Sequence, residues 1–553
     1  MIFGLAEHPD RVIRRLSVTV AEPDVHDPSS DARRLEKALA DQHAIFGLEI
    51  PLGVLATLQK ALRKGQWRVT AVLNGRHLVA LEAPFEINSA GAPINSAGLA
   101  LDIGVSSIEI HLDDLESGKN LAKTSLVNPL VRFGVDPISR IAHGMMTPDA
   151  VAEMTDLLRR TLDGAVGSLT VEAGLTRESV VDAVMVADPV THHLLLGFDP
   201  SELGSAPYTQ VVSEPVDVLA ETLGLHIAPG AMVHALPLLG GQVGSDTLAA
   251  AYCSGLGQDE RVTLLVDLGT TTNVVLGSKG QLLAAAPPAG TALEGVQIEA
   301  GRHAVPGAID ALCIDAETFE PRFRVIGSPL WSDDPDFAAS IDALDLGGFC
   351  RSGLIDALAE LRRSGLMARD GALDPDKAAI TPRIREEYRS STYLVQEDGP
   401  RIALTQHDIR TLQMAKAAVQ AAARILLKRH GGAALDRVVL TSGSGAAIDP
   451  VRAAIIGLFP DCDLDHISFS ENAALEGAKA ALLSRSARLG MARLARETRV
   501  IETVLDPDFQ MEQIGAMGLP HSRLGYPLLG ARVALSDNDE AARGRRTDRR
   551  SRV

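Results

Sequence analysis

The sequence predicts an α/β protein in which two similar lobes follow a small α/β domain, and three observations carry that reading. An apolar strand ending in Asp-x-Gly occurs twice, as Leu99-Ala-Leu-Asp-Ile-Gly104 and Leu264-Leu-Val-Asp-Leu-Gly269. Each copy runs on into a second strand, a short turn and a third strand. Each is then followed by alternating helical and apolar strand patterns. A repeat of this length is the mark of an internal duplication, and two similar lobes create a cleft of the kind that ligands favour.

Length and composition bound the possibilities. A chain of 553 residues is too long for one compact core, so two or three domains are expected. Hydrophobic residues make up 46% and charged residues 22%, as in ordinary globular proteins, while the 3% aromatic share leaves Leu, Val, Ile and Ala to fill the cores. A formal net charge of -18 repels phosphodiester backbones, which argues against nucleic acid as a partner. No apolar run reaches the roughly 18 residues that span a bilayer, and no signal peptide is visible, so neither a membrane nor export is expected. The four cysteines, Cys253, Cys313, Cys350 and Cys462, form no CxxC pair and read as reduced thiols of a cytoplasmic protein.

Along the chain, Arg14 to Val20 alternates like a strand, a helix follows from Asp31 to about Ala40, and Pro51 to Lys64 carries Leu52, Leu55, Leu58 and Leu62 at helical spacing. Trp67 to Leu73 and His77 to Leu81 flank Asn74-Gly75, a hairpin signal. Ala90 to Ala97 is small and polar and reads as a linker. In the first lobe, the strand–turn–strand of Leu99 to Leu112 leads through a turn at Asp114 to Lys119 to a third strand. Helices are expected over Pro148 to Leu162 and after Thr176, with a buried strand at Val181 to Val186. In the second lobe, Val262 to Leu276 and Gln281 to Ala285 repeat the three strands. A long helix over about Gln406 to Lys428 precedes a strand at Val438 to Leu440, a glycine-rich turn at Thr441 to Gly445, a strand near Ile467 and a helix from Asn472 to Leu483. The boundaries read as 1–16 for a linker remnant, 17–97 for the small α/β domain, 98–530 for the duplicated domain, with lobes at about 98–258 and 259–530, and an Arg-rich disordered tail at 531–553.

The paired turns suggest phosphate chemistry. Asp102 and Asp267 each end a strand, and Gly104 and Gly269 let backbone N–H groups approach a phosphate closely. Ser106, Ser107, Thr270, Thr271 and Thr272 add hydroxyl donors. Two such turns facing each other would hold a triphosphate, with Asp102 and Asp267 positioning Mg²⁺ largely through its waters. Ser442, Gly443, Ser444 and Gly445 would let backbone lie against a base or ribose. In Pro288 to Gly295, small residues including Gly290 lead toward an expected helix. There Thr291 and Glu294 read either as a capping box or as a helix N-terminus aimed at phosphate, with Glu294 placed for Mg²⁺ or water. There is no GxxxxGK[ST] and no GxGxxG at the later turn, which excludes P-loop and Rossmann nucleotide sites. Adjacent His192 and His193 do not share a face and read as structure, Cys350 as a packed thiol, and Asp246 as a helix cap or a residue lining the cleft.

Leu101-Asp-Ile-Gly104, Asn128-Pro129, Asp136-Pro-Ile-Ser-Arg140, His192-His-Leu-Leu-Leu-Gly-Phe-Asp199, Gly244-Ser-Asp246 and Val266-Asp-Leu-Gly-Thr270 occur in that order. Gly290-Thr-Ala-Leu-Glu-Gly295, Pro306-Gly-Ala-Ile309, Cys350-Arg-Ser-Gly-Leu-Ile-Asp356, Gln406-His-Asp-Ile-Arg410 and Asn472-Ala-Ala-Leu475 continue the series. As a set, spanning nearly the whole chain to about Pro527, they resemble the ATP-dependent reductive activators of corrinoid proteins. The resemblance implies the two-lobed actin/Hsp70/sugar-kinase (ASKHA, RNase H-like duplicated) ATPase fold, with ATP and Mg²⁺ as cofactors and Asp102, Asp267 and Glu294 as catalytic candidates. It implies return of cob(II)amide to the cob(I)amide that corrinoid-dependent methyltransferases need. The expected partners are a corrinoid protein, a separate ferredoxin or other low-potential electron donor, and a second copy of the chain in a homodimer. The family usually begins with a [2Fe–2S] ferredoxin domain. This chain has no cysteine before Cys253, so no iron–sulfur cluster is expected in it as given, and it reads as starting where the family's linker and middle domain would. Its turns read Gly-Val-Ser-Ser and Gly-Thr-Thr-Thr-Asn where the family has Gly-Thr-Thr-Thr and Gly-Thr-Asn-Gly-Glu. A nucleotide-controlled assembly protein without redox activity and a small-molecule kinase of the same fold remain as alternatives.

Overall fold

In the computed structural model, residues 10–82, 96–387, 390–443 and 447–535 are described. The chain divides into two compact units, one comprising Met1–Cys253 with Ala474–Arg496 and the other Ser254–Ala473 with Glu497–Val553. The second unit thus surrenders the segment Ala474–Arg496 to the first.

The first unit opens with a three-stranded antiparallel sheet, β1 (Ile13–Thr19), β2 (Arg68–Asn74) and β3 (His77–Glu82), with helices Asp31–His43 and Leu52–Lys64 between β1 and β2. The hairpin forms as the sequence predicts, with Gly75 at φ +62 in the β2–β3 turn. Leu35, Leu39, Leu58, Leu62, Val69 and Leu78 form its core. On the helical face, Leu58 and Leu62 are buried whereas Leu52 and Leu55 are exposed, so the apolar stripe is narrower than the spacing suggests.

The main sheet of this unit contains β4 (Ala97–Ile103), β5 (Ser107–Asp114), β6 (Asn120–Val127), β7 (Val180–Ala187), β8 (Val216–Leu219) and β9 (Met232–Ala235) in the order β6-β5-β4-β7-β9-β8. β4, β5 and β6 form an antiparallel meander, and β7 and β9 add in parallel. The expected helix near Pro148 runs longer, over Ala150–Glu172. The helix expected after Thr176 is only a 3-10 turn, Arg177–Ser179, because β7 begins at Val180 and leaves no room for more.

The second unit repeats this plan. β10 (Thr263–Leu268), β11 (Thr272–Ser278) and β12 (Gln281–Ala285) form the meander. Two hairpin-like insertions follow, β13 (Ile309–Ile314) with β14 (Pro321–Val325), and β15 (Ile384–Glu387), β16 (Ser390–Gln396) and β17 (Ile402–Thr405). β18 (Arg437–Ser442) and β19 (Ile467–Glu471) then join in parallel, and β20 (Thr498–Val500) closes the order β19-β18-β10-β11-β12-β20. Five strands of each sheet correspond in the order 3-2-1-4-5 with the same directions, β6-β5-β4-β7-β9 and β12-β11-β10-β18-β19, while the sixth strands differ, β8 adding beside β9 and β20 beside β12, so the duplication legible in the sequence is a duplication of the five-strand core. The helix Gln406–Arg429 is capped by Thr405 and Asp408 in a reciprocal capping box and is buried along most of its length. Its Lys416 is buried and donates to the carbonyls of Gly518 (2.6 Å) and Pro520 (2.8 Å), tying down the C-terminal segment.

Within the first unit, helix Arg485–Glu497 is held to the sheet by Arg488, whose guanidinium meets Asp182 on β7 at 2.5 Å. Asp182 is fully buried, its Oδ1 has no partner among the described residues, and burial holds its carboxyl above the usual range. Removing one partner of a buried pair costs about 3–5 kcal/mol. Arg488→Met therefore lowers the unfolding temperature of the first unit. The raised Asp182 carboxyl is stabilised in its neutral form by folding, so the deficit shrinks as pH falls from 8 toward 5. Thermal melts of both proteins at several pH values check this.

Candidate functional site

In parallel sheets, ligands gather at the C-terminal ends of strands where the order reverses. In both units that point is the C-terminal end of strand 1, where the acidic-glycine turn sits.

In the first unit, β4 carries Asp102, opposite Glu109 on β5 and in register with Val186 on β7. Gly104, Ser106 and Ser107 follow, all partly exposed, and Ser107 begins β5. A Cβ on Gly104 would stand 3.0 Å from the Ser107 carbonyl, so the turn is drawn tight around bare backbone. Two residues brace it. Asn128 donates from Nδ2 to the Gly104 carbonyl (2.8 Å) and accepts the Leu130 N–H (2.9 Å). The fully buried Arg140 donates to the carbonyls of Val105 and, at 3.1 Å, Gly134. Burial lowers the Arg140 pKa, against the raising fields of Asp188 and Asp136. At the end of the neighbouring strand β7, Asp188 accepts from Val190 N (2.9 Å) and Thr191 N (3.1 Å), with its Oδ2 buried and unpartnered among the described residues. Sequence reasoning gave Asn128, Arg140 and Asp188 no role; Asp-Pro directly after a buried strand was the available signal for Asp188.

In the second unit, Asp267 lies opposite Asn273 on β11 and Thr441 on β18. Gly269, Thr270 and Thr271 make the turn and Thr272 starts β11. A Cβ on Gly269 would lie 3.1 Å from the Thr271 carbonyl. β18 brings Ser442 and Gly443 to the same edge, where Asn472 N–H donates to the Ser442 carbonyl (3.2 Å). Ser444 and Gly445 lie outside the described residues.

The segment Gly290–Glu294 departs from expectation. The helix expected after the small residues is a three-residue 3-10 turn, Ala292–Glu294, and Thr291 makes no side-chain cap. The capping box fails because the Glu294 carboxylate is engaged elsewhere, in an ion pair with Arg351. With no helix there, a helix N-terminus aimed at phosphate is excluded as well. Arg351 opens the helix Arg351–Arg363 and also feels the field of Asp267. It links two residues far apart in sequence and was quoted only within the Cys350-Arg-Ser-Gly motif.

The remaining residues behave as structure. His193 bonds the Pro189 carbonyl through Nδ1 (2.7 Å) and accepts Val211 N–H at Nε2 (3.0 Å). His192 is buried, which pushes its pKa down to about 3. Cys350 is 1% exposed and its thiol pKa is raised by burial. Helix Ser245–Cys253 begins before Asp246, which lies inside the first turn rather than at a cap; its Oδ1 accepts Thr247 N–H at 2.7 Å. Among the described residues no cluster of three or more His, Cys, Asp and Glu is arranged to hold a metal, and no helix is long and apolar enough to cross a membrane.

Because the Asn128 bonds fix the Gly104 turn, Asn128→Ala leaves the part-buried Gly104 carbonyl without its donor and the buried Leu130 N–H without its acceptor, a cost of about 1–3 kcal/mol. The expected outcome is faster amide exchange confined to Gly104–Ser107 and Leu130, with β4 protection retained, read by hydrogen-exchange mass spectrometry.

Comparison with known proteins agrees with this architecture. Residues 261–529 match the C-terminal domain of RACo, the ASKHA domain; residues 97–259 match the RACo middle region and residues 8–86 the RACo linker region. The chain is 30% identical over 424 residues to the corrinoid activation enzyme RamQ of Eubacterium limosum, covering 74% of this chain and 68% of that protein. It is 23% identical over 412 residues to the [Co(II) methylated amine-specific corrinoid protein] reductase of Methanosarcina barkeri, covering 70% of each. A solved structure of a reductive activator for corrinoid, iron-sulfur protein superposes with TM-score 0.79 at 28% identity, covering 94% of this chain and 81% of that one. Three regions matched in succession, together with a 30% identical relative, establish that this chain belongs to the RACo family of reductive activators with an ASKHA domain.

Proposed function

We propose that this chain is an ATP-dependent reductive activator that returns the cobalt of a corrinoid protein from cob(II)amide to cob(I)amide in support of a corrinoid-dependent methyltransferase. The observation that carries the reading is the likeness to a reductive activator across 94% of the chain, on a fold whose two sheets each end strand 1 in an Asp-x-Gly turn.

The residues suit a nucleotide phosphate. Gly104 and Gly269 present backbone that a Cβ would crowd, and hydroxyls of Ser106, Ser107, Thr270, Thr271 and Thr272 flank it. When bound, ATP supplies the free energy of its hydrolysis to ADP and phosphate. Gly269 to Thr272 hold phosphate oxygens through N–H and hydroxyl donors, and Asp267 orients the polar groups of the turn. Gly104, Ser106 and Ser107 form the matching set in the first unit, with Asp102 in the place of Asp267. Ser442 and Gly443 would lie against the nucleoside, and Gly290 and Thr291 would complete the second unit's set. Asp102 in the first unit and Asp267 in the second are each the residue of their turn that would hold Mg²⁺, which dehydrates reluctantly and would be met largely through its waters. Mg²⁺ does not fit Glu294, whose carboxylate is paired with Arg351.

In the redox step one electron leaves a low-potential donor, a separate ferredoxin or its equivalent, and reduces Co(II) to Co(I). Nucleotide-dependent affinity for the corrinoid protein supplies the coupling, since a ligand shifts an equilibrium only by its differential affinity for the two states. A homodimer is part of this reading.

The test is anaerobic absorbance of a cob(II)amide corrinoid protein mixed with this chain, a low-potential donor and Mg-ATP. The cob(I)amide band is expected only with ATP, and Asp267→Ala is expected to reduce its rate about a hundredfold, as loss of a group that positions the reacting partners does. ATP binding without cobalt reduction, even with an added ferredoxin, would leave a nucleotide-controlled binding protein.

A further inference from the structure

Asp102 on β4 stands directly opposite Glu109 on β5. Directly opposite residues of an antiparallel pair share a face, with Cβ atoms about 4.5–5.5 Å apart, and like charges so placed destabilise the sheet. The face is fixed by the core. Leu101, Ile103, Ile108 and Ile110 flank the two acids in sequence and lie in the hydrophobic core, so alternation turns Asp102 and Glu109 together to the opposite face. Both acids are partly exposed, within reach of a solute. The second unit has no such pair, because the residue opposite Asp267 is Asn273, a neutral amide.

No described cation answers Glu109, whose side chain has no ion pair and no hydrogen bond among the described residues. His111, next on the same face of β5, is held from its charged form by burial, which pushes its pKa down. Lys479 donates to Glu476 (3.4 Å), and Arg140 donates to the carbonyls of Val105 and Gly134. A third carboxylate comes to the same edge. The extended backbone continues past β7 through Asp188, so alternation sets it on the face of Val186, the residue paired with Asp102. Asp188 is 2% exposed, and its Oδ2 has no donor among the described residues. A buried acceptor left in this way calls for a partner.

A divalent cation answers both demands. Mg²⁺ is held by one or two carboxylates and keeps several waters. Its charge turns the repulsion of two opposed carboxylates into a shared attraction. The waters it keeps are donors, which the Asp188 oxygen lacks.

We propose that Asp102 and Glu109 hold one divalent cation between them, so that of the two Asp-x-Gly turns the first unit's is the divalent site. This rests on the reading above that Mg²⁺ accompanies the nucleotide, and it assigns the ion to one of the two turns.

The experiment is iron-directed cleavage of the full chain. Fe²⁺ takes the place of Mg²⁺, ascorbate and hydrogen peroxide generate hydroxyl radicals at the bound ion, and mass spectrometry maps the cuts with and without ATP. Cuts are expected around residues 102–109, suppressed by excess Mg²⁺, and weaker around 267–273. Glu109→Gln is expected to reduce the first set at least about tenfold, a loss that even an outer-shell partner of a metal can cause, and Asp267→Asn is expected to leave that set in place. Melting supplies a readout without iron. In EDTA, Glu109→Gln is expected to melt no lower than wild type, because it removes a like-charge pair, and added Mg²⁺ is expected to raise the melting temperature of wild type more than that of the variant. Absence of cuts near residues 102–109, equal cutting at both turns, or a Glu109→Gln variant cut like wild type overturns the proposal and leaves ATP binding, measured by calorimetry on the same samples, as a separate question. A chain cut at 102–109 that binds no ATP upholds the divalent site and overturns the nucleotide reading alone.

Discussion

Everything at the candidate site depends on one pairing, the parallel register of strand 1 with strand 4. In the second unit it sets Asp267 opposite Thr441, so that a turn from residue 269 and a turn from residue 443 emerge at the same sheet edge despite the insertions between them. In the first unit it sets Asp102 opposite Val186, which brings Asp188 to the corresponding edge. A one-residue slip would turn Asp267 to the other face and bury it among the apolar residues that flank it. Val266 and Leu268, both 0% exposed, oppose such a slip with the burial energy of two large side chains.

The two edges are alike in backbone and unlike in chemistry. After strand 4 the first unit has Asp188 capping a helix that begins with Pro189, a closed arrangement whose N–H groups are already satisfied by the aspartate. The second unit has Ser442-Gly443 at that point, where a side chain takes up little space. Duplicated topology thus serves different ends in the two copies. In the first, buried polar groups such as Arg140 and Asn128 secure the turn from behind. In the second, the turn carries hydroxyls of its own, Thr270, Thr271 and Thr272.

Much of this was legible in the sequence because it rests on local chemistry. Asp-x-Gly after an apolar strand, Asn74-Gly75 between alternating runs and the periodicity of Gln406–Lys428 each specify their element without reference to distant residues, and each was found. What misled was local chemistry overruled by a distant partner. Thr291 and Glu294 have the spacing of a capping box, yet Arg351, 57 residues after Glu294, captures the carboxylate and the cap does not form. The segment after Thr176 has helical residues, but strand 4 claims the chain from Val180 onward, since sheet pairing on both sides outweighs helix propensity. Arg351 itself left no usable trace: one arginine in a Cys-Arg-Ser-Gly run shows neither its partner nor its burial until helix Arg351–Arg363 is docked on β13.

That docking explains why an arginine is tolerated at such a place. A guanidinium half-removed from water is costly unless a carboxylate meets it, and a lone Glu294 at the same depth would be costly in turn. Each residue removes the penalty of the other, and the field of Asp267 adds to the stabilisation of the cation. The pair is therefore self-consistent without any ligand, with the Glu294 carboxylate charge neutralised by the chain's own guanidinium. A fixed cation on the first turn of a docked helix thus balances the Glu294 carboxylate with the chain's own atoms, and the geometry of Arg351 rests on that balance as much as on the packing of the helix.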